Sequence, residues 1–412
     1  MTTDKIARAI TAFEHWLERS GPRSFDPYDI WGTGCGLKAR RLYYEKHPLG
    51  LPMIAPLLLS EILFPSSRRF FVKPERFATA DAQLVLAFLN LCRSSGDDRY
   101  LTNARRLAED LVSYAVPGYS GLCWGYPFNW QNQRGMWAKD VPYITCTPYC
   151  YEAFAALADA TGEERYTEIA QSISKFVFAD LRDTETAPDG AAASYSPNDN
   201  SLVVNASAYR ASVLFDAAGR HGKKDYLTKA ERNLAFILQS QHGDGSWFYA
   251  MDEHGKFIDH FHTCFVLKNL VKINRILDRV EIRSAIERGY RFYARALFDG
   301  DGLPKSFAIK PRTGIVRLEM YDFAEAITLG TLLRTDIPKA YEHAQRLAEV
   351  LCGKYQLRDG HFVTRVYRGG IRHTFPFLRW PQAQLFLALT NLLVAAESEN
   401  EVKMPKVASA MP

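Results

Sequence analysis

Four segments of the chain carry the same pattern: a small or polar turn, a charged pair, a tyrosine and then a helical run. They read SSGDDRYLTNARRLAEDLV, ATGEERYTEIAQSISKFV, RHGKKDYLTKAERNLAFIL and RTDIPKAYEHAQRLAEVLC, with tyrosines at Tyr100, Tyr166, Tyr226 and Tyr341. The steps are 66, 60 and 115 residues, the last spanning two units with a degenerate copy, DRVEIRSAIERGYRFYARAL, around Ile282. Charged residues between the apolar ones mark helices with one face in water. Each copy is preceded by a run poorer in charge and rich in Ala, Leu and Phe, such as ATADAQLVLAFLNLC, TPYCYEAFAALADA, NASAYRASVLFDAAG and YDFAEAITLGTLL; with FHTCFVLKNLVKI and the late segment LRWPQAQLFLALTNLLVAA there are six. A helix apolar nearly all round is buried on both sides, so each hairpin pairs an inner helix with an outer one.

Six inner helices at this period predict an all-α fold, an (α/α)6 toroid, with residues 1–46 supplying the helix that completes the outer ring. An open solenoid of helix pairs is the competing architecture, but six pairs close a circle. Asp-Gly recurs in the links at Asp189/Gly190, Asp244/Gly245, Asp301/Gly302 and Asp359/Gly360. Asp-Gly before short alternating runs such as GSWFYAM and GHFVTRVYR predicts short β-hairpins in the rim loops. The chain is read as one toroid over residues 1–397 followed by a disordered tail, 398–412, which is polar and contains two prolines.

With 51 basic and 46 acidic residues and no block of consecutive cations, no nucleic-acid footprint is expected. The most apolar stretch, Leu51–Phe64, is too short for a membrane span, and the N-terminal run lacks the apolar core of a signal peptide. Seven scattered cysteines without a CxxC pair suggest reduced thiols and a cytoplasmic location. Phosphate-loop, dinucleotide and nucleophile-elbow motifs are absent, and no cofactor is called for. A zinc site from Asp259, His262 and Cys264 has poor spacing, so no metal is assigned.

If all inner helices begin at one mouth, their first turns line a central cavity, and their N–H groups favour an anionic substrate group there. Polar and aromatic residues at these starts include Thr79, Asp81, Thr147, Tyr149, Asn205, Tyr209, Asp259, His260, His262, Tyr321, Asp322, Glu325, Arg379 and Trp380. Thr79 and Thr147 read best as helix caps, and Asn205 and Asp322 are also cap types. Asp259, His262, Asp322 and Glu325 are the catalytic candidates. Tyr149, Asn205, His260, Arg379 and Trp380 are expected to bind substrate. The stretch 118–143, GYSGLCWGYPFNWQNQRGMWAKDVPY, interleaves aromatics with amides, the composition of a sugar-binding cleft; Trp124, Tyr126, Trp130 and Gln131 are its binding candidates.

The blocks CWGYPFNWQ, IDHFHTCF and LRWPQAQ resemble those of a family of bacterial proteins associated with exopolysaccharide or capsule synthesis. The architecture is similar to six-hairpin glycosidases and, more loosely, to the toroidal domains of polysaccharide lyases and of the glucuronyl epimerase. QSQHGDGSW is also similar to the glutamine-tryptophan repeat of terpenoid cyclases, although their DxDD motif is absent. The resemblance implies a carbohydrate-active enzyme on a polysaccharide or oligosaccharide containing uronic acid: a glycoside hydrolase, or a lyase or epimerase. Polysaccharide-assembly proteins are possible partners. A terpenoid-cyclase-like enzyme and a non-catalytic sugar-binding or scaffold protein are the rival readings.

Overall fold

The computed structural model describes residues 2–311 and 314–403, and 60% of the chain is helical. After α1 (Thr2–Ser20) come α2 (Gly34–Tyr44) and α3 (Gly50–Leu63), and then five hairpins and a last helix. The hairpins are α4 (Ala78–Ser95) with α5 (Asp98–Ser113), α6 (Thr147–Thr161) with α7 (Glu164–Ala179), α8 (Val204–His221) with α9 (Tyr226–Gln239), α10 (His260–Leu277) with α11 (Val280–Ala296), and α12 (Met320–Leu332) with α13 (Pro338–Val350). The last helix is α14 (Ala383–Lys403). The first members of the hairpins and α14 form the inner ring, an (α/α)6 toroid as the repeat predicts.

Closure joins the two ends of the sequence. α14 packs between α12 and α4, where Asn90 donates to Asn391 Oδ1 at 2.8 Å and Ser94 to Glu397 at 2.7 Å. α1 packs on α13 and α14 as the sixth outer helix, burying Ile6, Ile10, Phe13 and Trp16. α14 continues six residues past the expected boundary at 397, and 404–412 of the expected tail lie outside the described residues.

The repeated tyrosine has a packing role. Tyr100, Tyr166, Tyr226 and Tyr341 are all buried, and Tyr100 stacks on Phe88 of its own inner helix with centroids 6.1 Å apart. The inner-to-outer turn at Gly162 has φ +69°, a left-handed cap that costs a side-chain-bearing residue strain; Gly96 and Gly222 repeat it.

Among the described residues nine short strands occupy the links: β1 (Trp130–Asn132), β2 (Gly135–Trp137), β3 (Asp183–Ala187), β4 (Gly190–Ala193), β5 (Ile258–Asp259), β6 (Phe307–Ile309), β7 (Val316–Glu319), β8 (Arg365–Tyr367) and β9 (Arg372–His373). β3–β4 is the local hairpin that Asp189–Gly190 predicts. Others pair between links: β5 with β6, and β7 with β8. Thus the rim is tied from hairpin to hairpin, which fixes the starts of α10 and α12.

Candidate active site

The inner-helix starts open on a cavity of about 800 Å³, within the usual range for small-molecule sites. Thr79, Tyr149, Tyr209, Asp259, His262, Tyr321, Arg379 and Trp380 line it from the ring. Tyr126, Phe128, Trp130, Asn132, Gln133 and Arg134 come from the aromatic stretch. Tyr28, Tyr43, Tyr44, Lys46, His47 and Leu51 come from the N-terminal segment, and Tyr195, Tyr249, Phe257 and Phe307 from other links.

The sharpest chemistry is at the start of α10. Asp259 is its N-cap: one carboxylate oxygen accepts from the His262 backbone N–H at 3.0 Å, and the other accepts from His262 Nδ1 at 2.7 Å. Asp259 is buried while the imidazole keeps partial exposure. With Nδ1–H given to the carboxylate, Nε2 is the basic nitrogen, and it has no protein partner among the described residues. Tyr249 and Phe261 pack on the ring at 4.4 and 4.3 Å. The acid therefore both caps the helix and fixes the histidine's tautomer.

A second charged group is Arg379, in the irregular turn that leads into α14. Its Nε and Nη2 donate to the two carboxylate oxygens of Asp26 at 2.5 and 2.9 Å. Tyr126, Trp380 and Tyr28 surround its guanidinium within 4.8–5.7 Å. Burial opposes the charge, but Asp26 and the phenols outweigh it and hold the guanidinium protonated. Nη1 has no protein partner among the described residues, so a substrate anion can use it.

The wall between them is aromatic. Tyr321 stacks on Trp380 with centroids 3.7 Å apart, and the hydroxyls of Tyr149 and Tyr209 share a hydrogen bond of 2.9 Å. Burial pushes these three tyrosines well above the usual phenol range, so they stay neutral donors. On the opposite side Arg134 clamps Asp252 through two hydrogen bonds of 2.6 and 2.8 Å, tying β1–β2 to the link before α10.

Six of the expected site residues do not reach the cavity wall. Trp124 is buried and donates from Nε1 to the Leu111 carbonyl at 2.9 Å, packing the loop onto α5. Gln131 lies between Trp130 and Asn132 on β1, so strand alternation turns it away. Asn205 lies inside α8, is buried, and neither amide atom finds a partner among the described residues. His260 is two positions from His262, about 200° round a helix. It is fully buried, its Nε2 2.7 Å from the Tyr293 hydroxyl and its Nδ1 3.3 Å from the Lys305 carbonyl. Asp322 accepts from Ser306 at 2.8 Å, and burial raises its pKa well above the carboxylate range. Glu325 is buried in an ion pair with Lys268 at 2.5 Å.

The capping assignments also shift. Phe77 and Cys146 hold the cap positions of α4 and α6, and Val203 and Glu319 those of α8 and α12; none donates a side-chain cap. Thr79, Thr147, Asn205 and Asp322 sit one to three residues past the cap, inside the helices. Sequence reading missed Asp26 and Tyr28, whose only signal was an acid and aromatic cluster, FDPYD, in a segment credited with closing the ring alone.

The sequence matches no protein-family model and no curated protein. Among solved structures the chain is similar to an unsaturated glucuronyl hydrolase specific for heparin, at TM-score 0.64 and 11% identity over 96% of this chain and 98% of that one. It is also similar to cellobiose 2-epimerase from Bacillus thermoamylovorans (TM-score 0.60, 11% identity, 78% and 88% covered). A polysaccharide lyase gives TM-score 0.55 and 12% identity over 79% and 91%. At these identities the likeness shows the fold alone, the toroid that these carbohydrate-active enzymes share.

Proposed function

We propose that the chain is a carbohydrate-active enzyme that moves a proton on a uronic-acid-containing polysaccharide or oligosaccharide, as a lyase or epimerase. The observation that carries this reading is the Asp259–His262 pair, 2.7 Å apart, in the same cavity as the Asp26-held Arg379. His262 Nε2 takes the proton from the carbon next to the uronate carboxylate. Asp259 stabilises the imidazolium that forms, as the buried acid of a catalytic triad does. Arg379 neutralises the carboxylate as negative charge spreads into it. In elimination the C–H bond breaks, a C=C bond forms and the C–O bond to the leaving sugar breaks, its oxygen taking a proton from the Tyr149–Tyr209 hydroxyl pair. In epimerisation the imidazolium keeps the proton it removed, and the Tyr149–Tyr209 hydroxyl pair gives a different proton to the other face of the same carbon.

Hydrolysis of an ordinary glycosidic bond needs two carboxyl groups flanking it. Asp259 is the one carboxylate lining the cavity among the described residues, since Asp322 and Glu325 are turned into the core. A close titratable pair disfavours a scaffold protein, and phenols with a cation disfavour a terpenoid cavity. The resemblance of CWGYPFNWQ, IDHFHTCF and LRWPQAQ points the reading to exopolysaccharide or capsule metabolism. Seven free cysteines suit the cytoplasm.

The test is incubation with uronate oligosaccharides in D2O. An ultraviolet-absorbing unsaturated product identifies the lyase, and deuterium at carbon five without cleavage identifies the epimerase. Release of reducing ends with neither signal overturns the proton-transfer reading.

A further inference from the structure

Between α1 and α4 the chain makes an excursion that turns the usual rule of burial inside out. α2, α3 and the short helical turn Pro65–Phe70 leave the ring, and α3 is fourteen residues long, about 21 Å of helix. Its inner side is ionic: buried Arg68 pairs with Asp29 at 2.6 Å and with buried Glu61, and lies 4.5 Å over the Phe377 ring. Its outer side is apolar: Leu58, Leu59, Leu63, Phe64, Phe70 and Phe71 face solvent, Phe70 at 86% exposure. Of seventeen large hydrophobic side chains exposed among the described residues, eight fall in the 23 residues from Leu49 to Phe71. A patch of that density is an interaction surface rather than ordinary surface scatter.

The charge around it selects the occupant. Between residues 38 and 73 the exposed ionised side chains are Lys38, Arg41, Lys46, Arg69 and Lys73 against Glu45 alone. A second copy of the chain meeting this face about a two-fold axis would set that cationic fringe against itself. Leucine and phenylalanine with a lysine and arginine border are instead the composition of a helix lying in the headgroup region of an anionic bilayer. Among the described residues no helix is long and apolar enough to cross a membrane, so the contact would be peripheral. We propose that residues 38–73 dock the protein on an anionic lipid surface. The same segment supplies Tyr43, Lys46, His47 and Leu51 to the cavity wall, so docking turns the mouth toward the bilayer. The consequence, which rests on the sugar reading above, is a substrate glycan presented at a membrane.

The experiment is co-sedimentation of the full chain with phosphatidylcholine vesicles, with and without phosphatidylglycerol, in the absence of sugar, so that the outcome is independent of the catalytic reading. Binding is expected on the anionic vesicles and should fall as salt rises. Leu58→Ser/Phe70→Ser/Phe71→Ser should lower the bound-to-free ratio by about tenfold or more, and Arg69→Glu/Lys73→Glu should do so on the anionic vesicles. Both variants alter exposed positions, so the melting temperature and turnover of soluble oligosaccharide should stay at the wild-type level. The proposal is overturned if the wild type ignores both vesicle types or if the triple variant binds as well as the wild type. It is equally overturned if light scattering shows a dimer that the triple variant splits, since a second copy then covers the face.

Discussion

His260 offers a sharp test of how the ring sorts its polar residues, because its neighbour His262 faces the cavity and it does not. Its ring is fully buried, donating Nδ1–H toward the Lys305 carbonyl and accepting the Tyr293 hydroxyl at Nε2. Burial lowers its pKa from 6.5 to about 3, against hydrogen bonds to the Lys305 and Leu297 carbonyls that favour the proton. Between those values the unfolded chain binds a proton that the folded chain refuses. The stability His260 contributes is therefore complete above about pH 6.5 and is lost as pH falls toward 3. At about pH 4.5 that loss is on the order of 3 kcal/mol. Other groups titrate in the same range with the opposite slope: burial raises Asp81 and Asp29 to about 6, so they favour the folded state in acid. The measurement must therefore be a double difference. Urea unfolding of wild type and His260→Gln at about pH 7.5 and pH 4.5 should show the wild type losing on the order of 3 kcal/mol more than the variant over that interval. Parallel losses would mean that the imidazole already finds water or a counter-charge in the fold, and the assignment of His260 to the core would fail.

Three further outcomes are expected. Asp259→Asn keeps an oxygen to cap α10 but loses the anion behind His262; kcat/KM on a uronate oligosaccharide should drop by about 10²-fold or more with the melting temperature nearly unchanged. Arg379→Lys cannot reproduce both bonds to Asp26, so titration calorimetry should show affinity for acidic oligosaccharides falling by about tenfold or more while neutral ones are unaffected. Lys268→Met leaves Glu325 buried without its cation and should cost about 3–5 kcal/mol in urea unfolding, most of it recovered in Lys268→Met/Glu325→Leu. If the double variant is stable but inactive, Glu325 has a chemical role that its position does not suggest.

The toroid was legible because its evidence is periodic. Tyr100, Tyr166, Tyr226 and Tyr341 are each buried in the first turn of an outer helix, so one packing requirement is written into the sequence four times. The links are less regular. Asp189–Gly190 closes a local hairpin, but β7 and β8 come from different links, on either side of the α12–α13 hairpin. The excursion over 34–71 has no counterpart in the repeat, and its anchor joins Arg68 to Asp29 and Phe377. Pairings at such separations leave no local pattern to read.

The place of the candidate site was legible but the residues that line its cavity were not, and the reason is geometric. Knowing that six helices start at one mouth gives every polar residue of six first turns as a candidate, while each residue turns about 100° from the last. Tyr321 thus lines the cavity and Asp322 beside it is turned to Ser306. Phase alone still does not decide chemistry; the remaining valence of each group does. Glu325 spends its charge on Lys268, Asp81 on Arg76 and Tyr114, and burial holds the Asp322 carboxyl well above the usual carboxylate range. His262 keeps Nε2 and Arg379 keeps Nη1 after their protein partners are satisfied. The partners that decide this lie three residues away for His262 but 353 away for Arg379. Hence the histidine's readiness could be inferred from IDHFHTCF alone. The arginine's could not, because its orienting acid sits at the far end of the chain and meets it only when the ring closes.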